Sequence, residues 1–239
     1  MLSLATFKHK TMNKKEIPSQ VTRTKAEAKA NYDKLSRWYD VLAGFAEKKY
    51  KEEGLRKLNA KSGEKVLEIG YGTGQCIVPL AQSIGTFGKV YGIDLSEGMF
   101  RVAKNKTKKA GLSERVELIC GDATELPYNE NSMNAIYMSF TLELFDTPEI
   151  PIVLQQCQRV LCPGGRICVV VMALKKESNL MVMLYKWAHE TFPQYVDCRP
   201  IYAQRTLEEA GYIVEDATEM SMFGLPVDIV LARSKKQKK

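Results

Sequence analysis

The glycine-dense run that follows the first apolar stretch constrains this chain more than any other feature. Lys65-Val66-Leu67-Glu68-Ile69 reads as a strand, and Gly70-Tyr71-Gly72-Thr73-Gly74 follows it directly. Without side chains, the backbone there can bend sharply and approach a ligand closely. A helix is expected from Gln75 to Ser83, then a second strand from Val90 to Leu95 that carries Asp94. Asp94 stands 20 residues after Gly74, at a strand end. A carboxylate placed there can accept hydrogen bonds from both hydroxyls of a ribose. Strand, glycine turn, helix, strand and acid together make the first half of a nucleoside-binding α/β unit, and imply an adenosine-containing ligand.

The spacing narrows the ligand. The pattern is E-x-G-x-G-x-G from Glu68 to Gly74, and Gln75 stands where a dinucleotide fingerprint needs its last glycine. No Lys-Ser or Lys-Thr pair follows, which excludes a P-loop. An acid two residues before the first glycine is a poor neighbour for phosphate and a good one for a cationic amino group. Two further segments lie downstream: Cys120-Gly121-Asp122-Ala123-Thr124-Glu125-Leu126-Pro127-Tyr128 and Arg159-Val160-Leu161-Cys162-Pro163-Gly164-Gly165-Arg166.

With these four motifs in order, the chain resembles the class I S-adenosylmethionine-dependent methyltransferases over roughly residues 30 to 234. The resemblance implies S-adenosyl-L-methionine as cofactor. It implies that Gly70, Gly72 and Gly74 let the backbone approach the methionine part, and that Glu68 orients its amino end. Asp94 would bind the ribose hydroxyls, with Leu95 packing on the adenine and Met99 beneath it. Asp122 would accept from the adenine amine, the Ala123 amide would donate to a ring nitrogen, and Ser139 would sit near the methyl group. Each position also has a purely structural reading: a glycine can serve only the turn, and Asp122 can cap a local turn.

Alternating strands and helices predict an α/β fold, a Rossmann-like seven-stranded sheet that is mostly parallel with helices on both faces. The last two strands, about Ile213–Met220 and Val227–Ala232, are too close in sequence for a crossover helix. They should pair as an antiparallel hairpin. Further strands are expected at Val116–Cys120, Asn134–Ser139 and Ile167–Met172. Ser96 should cap a helix running to Ala110, Pro148 should precede one from Glu149 to Leu161, and Thr206 should cap a short one to Ala210. Residues 1–29 read as a basic, flexible segment, 30–234 as the methyltransferase domain, and 235–239 as a basic tail.

Charge argues about partners. The chain carries a net charge of +7, from 35 Lys/Arg and 28 Asp/Glu. Residues 1–30 hold seven bases against two acids, and residues 231–239 hold five bases and no acid. Setting those ends aside leaves 23 basic and 26 acidic residues, so the body is slightly negative. That argues against a basic nucleic-acid groove. It allows peripheral contact with an anionic membrane through the termini, or tails that are merely solvated. No apolar run reaches the ~18 residues of a membrane span. The six scattered cysteines form no C-x-x-C pair. They read as reduced thiols of a cytoplasmic protein, with no metal site expected.

The acceptor is read from two segments. The Tyr-Asp pairs at 32–33 and 39–40 resemble the lead-in helix of the ubiquinone and menaquinone biosynthesis C-methyltransferases. In that group the segment, here 30–58, covers the cofactor, and Tyr39 would reach the methionine carboxylate. Residues 179–202, rich in Met, Trp, Tyr and Phe, read as an acceptor-side insertion suited to an apolar small molecule. His189, Tyr185 and Tyr195 are its candidates for a general base or for positioning, and His189 and Tyr185 share a helix face. The segment Ser139-Phe140-Thr141-Leu142-Glu143-Leu144 lacks the Asn/Asp-Pro-Pro-aromatic run of many base and amide N-methyltransferases. The resemblance to the quinone-biosynthesis group implies a quinone precursor as the acceptor. The rival readings are N-methylation of an amine or phospholipid head group, and a cofactor-binding partner without turnover.

Overall fold

The computed structural model describes residue 30, residues 45–174 and residues 200–235. The N-terminal segment, the aromatic run with Tyr39, most of the insertion with Tyr185, His189 and Tyr195, and the tail beyond Lys235 lie outside the described residues.

Seven strands form one sheet: β1 (Lys65–Ile69), β2 (Lys89–Asp94), β3 (Val116–Cys120), β4 (Met133–Ser139), β5 (Leu161–Met172), β6 (Tyr212–Met222) and β7 (Leu225–Ser234). Their order is β3-β2-β1-β4-β5-β7-β6, and β7 runs antiparallel to β5 and β6 while every other pairing is parallel. The expected hairpin is present. It closes on Phe223 and Gly224, both at positive φ (52° and 84°), the two-residue turn whose twist suits paired strands. The helices are α1 (Phe45–Leu58), α2 (Ile77–Ser83), α3 (Glu97–Lys109), α4 (Glu149–Val160) and α5 (Ala203–Glu209). Ser96 caps α3 by accepting a hydrogen bond from Met99 N, as its sequence position suggested.

Strand parity divides the core. Leu67, Ile69, Ile136, Met138, Val169, Val171 and Val230 point to one face, where they meet α4 and α5. Val66, Ala135, Tyr137, Cys168, Val170 and Ile229 point to the other, beneath α1, α2 and α3. Both faces are covered, so the central strands carry few polar side chains, as a buried parallel sheet requires.

Most element ends fall within two residues of the sequence reading, and two boundaries differ by more. β5 starts at Leu161 rather than Ile167, because Leu161 pairs with Met133 before the Pro163-Gly164-Gly165 irregularity and Arg166 resumes opposite Ala135. Thr206 is not a cap: α5 begins at Ala203, with Tyr202 at its N-cap, because Ala203 and Leu207 both have to face the core.

α1 lies close against the sheet. A Cβ on Gly54 would stand 2.6 Å from Val170 Cγ2 and 2.7 Å from the Tyr137 hydroxyl. That hydroxyl donates to Lys51 O at 2.9 Å, and the Tyr50 hydroxyl donates to Ser221 O at 2.5 Å. Lys57, almost wholly buried, pairs with Asp216 of β6. Arg166 reaches from β5 to Glu64 and to the carbonyls of Leu58 and Asn59. In an open helix Gly→Ala would gain up to ~1 kcal/mol. Here Gly54→Ala should instead lose ~1–3 kcal/mol through overpacking, read as a lower urea midpoint at unchanged slope.

Candidate functional site

Parallel pairing brings the C-terminal ends of β1, β2, β3 and β4 to one edge. β2 and β3 lie on one side of β1 and β4 on the other, so the chain reverses its direction of sheet growth at β1. Ligands of open α/β sheets bind in the crevice at such a point. At or just after these strand ends stand Gly70–Gly74, Asp94–Leu95, Asp122–Ala123 and Ser139. The structure thus gathers at one edge every described residue that the sequence nominated for the cofactor, with Met99 in the first turn of α3 behind them.

The glycine turn is built as its composition demands. Gly70, Gly72 and Gly74 all have positive φ, at 70°, 51° and 78°. Gly70 is further constrained, since a Cβ there would lie 2.3 Å from Thr141. At Gly72 a Cβ would meet nothing within 4 Å among the described residues. The turn therefore presents open space at its middle glycine, where a ligand can approach the main chain.

Asp94 ties this turn to the next element. Its Oδ2 accepts from Gly72 N at 2.8 Å and its Oδ1 from Ser96 N at 2.9 Å. Those amides fix the carboxylate at the strand end, and a carboxylate oxygen can accept from more than one donor. Gly121 N donates to Asp94 O at 2.9 Å, which extends the β2–β3 ladder and brings Asp122 alongside. Asp122 Oδ1 accepts from Thr124 N at 2.9 Å, so it does cap a local turn. Ala123, Met99 and Ser139 are buried.

Glu68 is the unusual group. Parity turns it to the same face as Val66, opposite Tyr137 in register, beneath α1 and α2. It is 2% exposed, and its Oε2 has no hydrogen-bond partner among the described residues. Desolvation holds its carboxyl well above the usual carboxylate range; the Lys51 charge opposes this and the Asp94 charge adds to it. A buried acid with an unsatisfied oxygen costs stability unless a cation or donor completes it. The open turn, the fixed Asp94 carboxylate and the incomplete Glu68 fit a nucleoside with a cationic amino group.

Several site residues carry no signal in the sequence alone. Lys51 of α1 donates to Gln75 Oε1 at 3.0 Å and pairs with Glu47 at 2.8 Å. The Tyr71 hydroxyl donates to Ile119 O at 3.1 Å, which anchors the turn on β3. Glu143, fully buried in a 3₁₀ turn (Leu142–Leu144), accepts from Met172 N at 3.0 Å and closes the end of β5. The spacings between these partners give no local periodicity to read. Only the gathering of the strand ends brings them together.

A sequence model described as the ubiE/COQ5 methyltransferase family matches residues 12–219. The chain belongs to that family. The demethylmenaquinone methyltransferase of Geobacillus stearothermophilus is 34% identical over 146 residues, covering 61% of this chain and 60% of that protein. That of Bacillus subtilis (strain 168) is 33% identical over 137 residues, covering 57% and 56%. The chain therefore spans less than two thirds of the length of these relatives. Among solved structures, a SAM dependent methyltransferase from Aquifex aeolicus superposes with a TM-score of 0.58 at 25% identity, covering 77% of this chain and 88% of that one. The [4+2]-cyclase SpnF superposes with a TM-score of 0.71 at 19% identity, covering 89% and 97%, which is a likeness of fold alone. In this ubiE/COQ5 member, three of the four motifs that carried the resemblance stand at the C-terminal strand edge, and the fourth, Arg159–Arg166, opens β5 at the other end of the sheet.

The state of Glu68 can be read from stability. Below about pH 4.5 the carboxyl is protonated both folded and unfolded; above it the unfolded chain ionises while burial keeps the folded group protonated, so stability falls as pH rises. Glu68→Gln removes that loss. Its urea midpoint without cofactor should exceed the parent's at neutral pH and converge on it as pH falls toward 4.5. A variant less stable at neutral pH would mean that Glu68 is ionised and paired.

Proposed function

We propose that the protein transfers a methyl group from S-adenosyl-L-methionine to a small apolar acceptor, a quinone precursor. The observation that carries the cofactor reading is the Asp94 carboxylate held by Gly72 N and Ser96 N beside the open glycine turn. Family membership and the relatives' names support the acceptor class. The cofactor supplies a methyl carbon already activated by a positive sulfur. The chain's residues then bind it, orient it and keep water away.

In this reading Asp94 holds the ribose hydroxyls, Leu95 and Met99 pack on the adenine, and Asp122 with the Ala123 amide reads its edge. Gly70, Gly72 and Gly74 admit the methionine part, Glu68 receives its ammonium, and Ser139 lies near the methyl group. Tyr39 reaches the methionine carboxylate. Carbon methylation of a phenol-like ring requires loss of a phenolic proton, so a base is needed. His189 fills that role, with Tyr185 and Tyr195 positioning the acceptor.

The basic ends suit peripheral attachment of a cytoplasmic enzyme to an anionic membrane. Among the described residues no helix is long and apolar enough to cross a bilayer. Vesicles containing anionic lipid should sediment the protein at low ionic strength and release it at high.

The direct assay incubates the protein and S-adenosylmethionine with a reduced demethylated naphthoquinol, with phosphatidylethanolamine, or with a small amine. Expected is S-adenosylhomocysteine formation together with a quinol heavier by one methylene unit. His189→Ala should lower that turnover by roughly 10²-fold or more while sparing cofactor affinity. Methylation of the amine or phospholipid instead would replace the acceptor assignment. Cofactor binding with no turnover on any acceptor would favour a non-catalytic partner.

A further inference from the structure

Glu68 accounts for only half of an amino-acid end. The methionine part of the cofactor is a zwitterion, and an acid alone cannot match its carboxylate. The neighbouring cation is on α1. Lys51 and Glu47 lie one helical turn apart, with side chains only 12% and 13% exposed. A lysine so deeply covered is uncommon and calls for partners. Two are present, Glu47 at 2.8 Å and Gln75 Oε1 at 3.0 Å, and an ammonium has three protons to donate.

The placement of Lys51 follows from the packing. Its carbonyl accepts from the Tyr137 hydroxyl, and Tyr137 stands opposite Glu68 in the β1–β4 register. Gln75 is the first residue after Gly74, where the open turn enters α2. A buried cation and a buried acid thus flank the same turn. Gly54, one turn further along α1, lets the helix sit close enough for this.

We propose that Lys51 binds the carboxylate of the cofactor's methionine part while Glu68 takes its ammonium, so that α1 and β1 together read the zwitterion. The proposal rests on the cofactor reading above. It assigns a binding role to a residue outside every motif of the sequence. Glu47 balances the Lys51 charge while the site is empty, which lets the ammonium remain buried without a ligand.

The test compares three probes by calorimetric titration of the full chain: S-adenosylhomocysteine, its 3-aminopropyl analogue lacking only the carboxylate, and 5′-methylthioadenosine, which lacks the whole amino-acid end. Lys51→Gln should weaken S-adenosylhomocysteine by at least about tenfold. It should leave the other two within about twofold, and Lys51→Arg should restore most of the loss. Equal weakening of all three probes, or no weakening of any, would overturn the proposal and leave Lys51 as a brace between α1 and the turn. Failure of the parent protein to bind any probe would overturn the cofactor reading itself. Thermal melts of both variants separate loss of fold from loss of contact.

Discussion

In the parallel pairing of β1 with β2, the last residue of β1, Ile69, lies opposite Ile93, one residue before the end of β2. The turn that leaves β1 therefore starts beside the end of β2, where Gly70 N donates to Ile93 O at 2.8 Å and Asp94 is the next residue. From this the rest of the site is built. Asp94 can catch Gly72 N only because the turn begins at the level of its own strand end. The same carboxylate then holds Ser96, whose hydroxyl starts α3. A shift of one residue in that register would turn Glu68 to the opposite face and separate the turn from its acid.

The structure accepts local cost at this edge. Phe140 has a φ of 51°, uncommon for a bulky residue, where β4 runs out. Its ring meets Tyr50 edge-on, with centroids 6.3 Å apart, and its amide is bonded to Val170 O. Glu68 is buried on a face filled mainly by apolar groups. Strain and buried polarity of this kind gather where function, rather than stability, fixes the residue. The apolar layers and the clasps from Lys57 and Arg166 hold α1 and the sheet in place around it.

The motifs were legible because their chemistry is local. Three glycines in five residues, an acid at the next strand end and Ser96 before an amphipathic helix are readable from spacing, and the structure puts them where they were expected. The hairpin was legible because its strands are joined by too few residues for a crossover. Boundaries were less so. The start of β5 depends on Met133, a partner remote in sequence, and the start of α5 depends on which residues the core covers. Lys51 and Glu143 were illegible for the same reason: each works through a residue more than twenty positions away. The acceptor side rests on residues beyond those described.

The central claim is that a cationic amino end completes Glu68 beside the glycine turn. An arriving ammonium lowers the affinity of that carboxyl for its proton. Calorimetric titration of S-adenosylmethionine at neutral pH, in buffers of different ionisation enthalpy, measures both binding and proton exchange. Saturable one-to-one binding with net proton release is expected, with loss of that release in Glu68→Gln. Absence of binding, or binding whose proton release is the same in the variant, would contradict the claim.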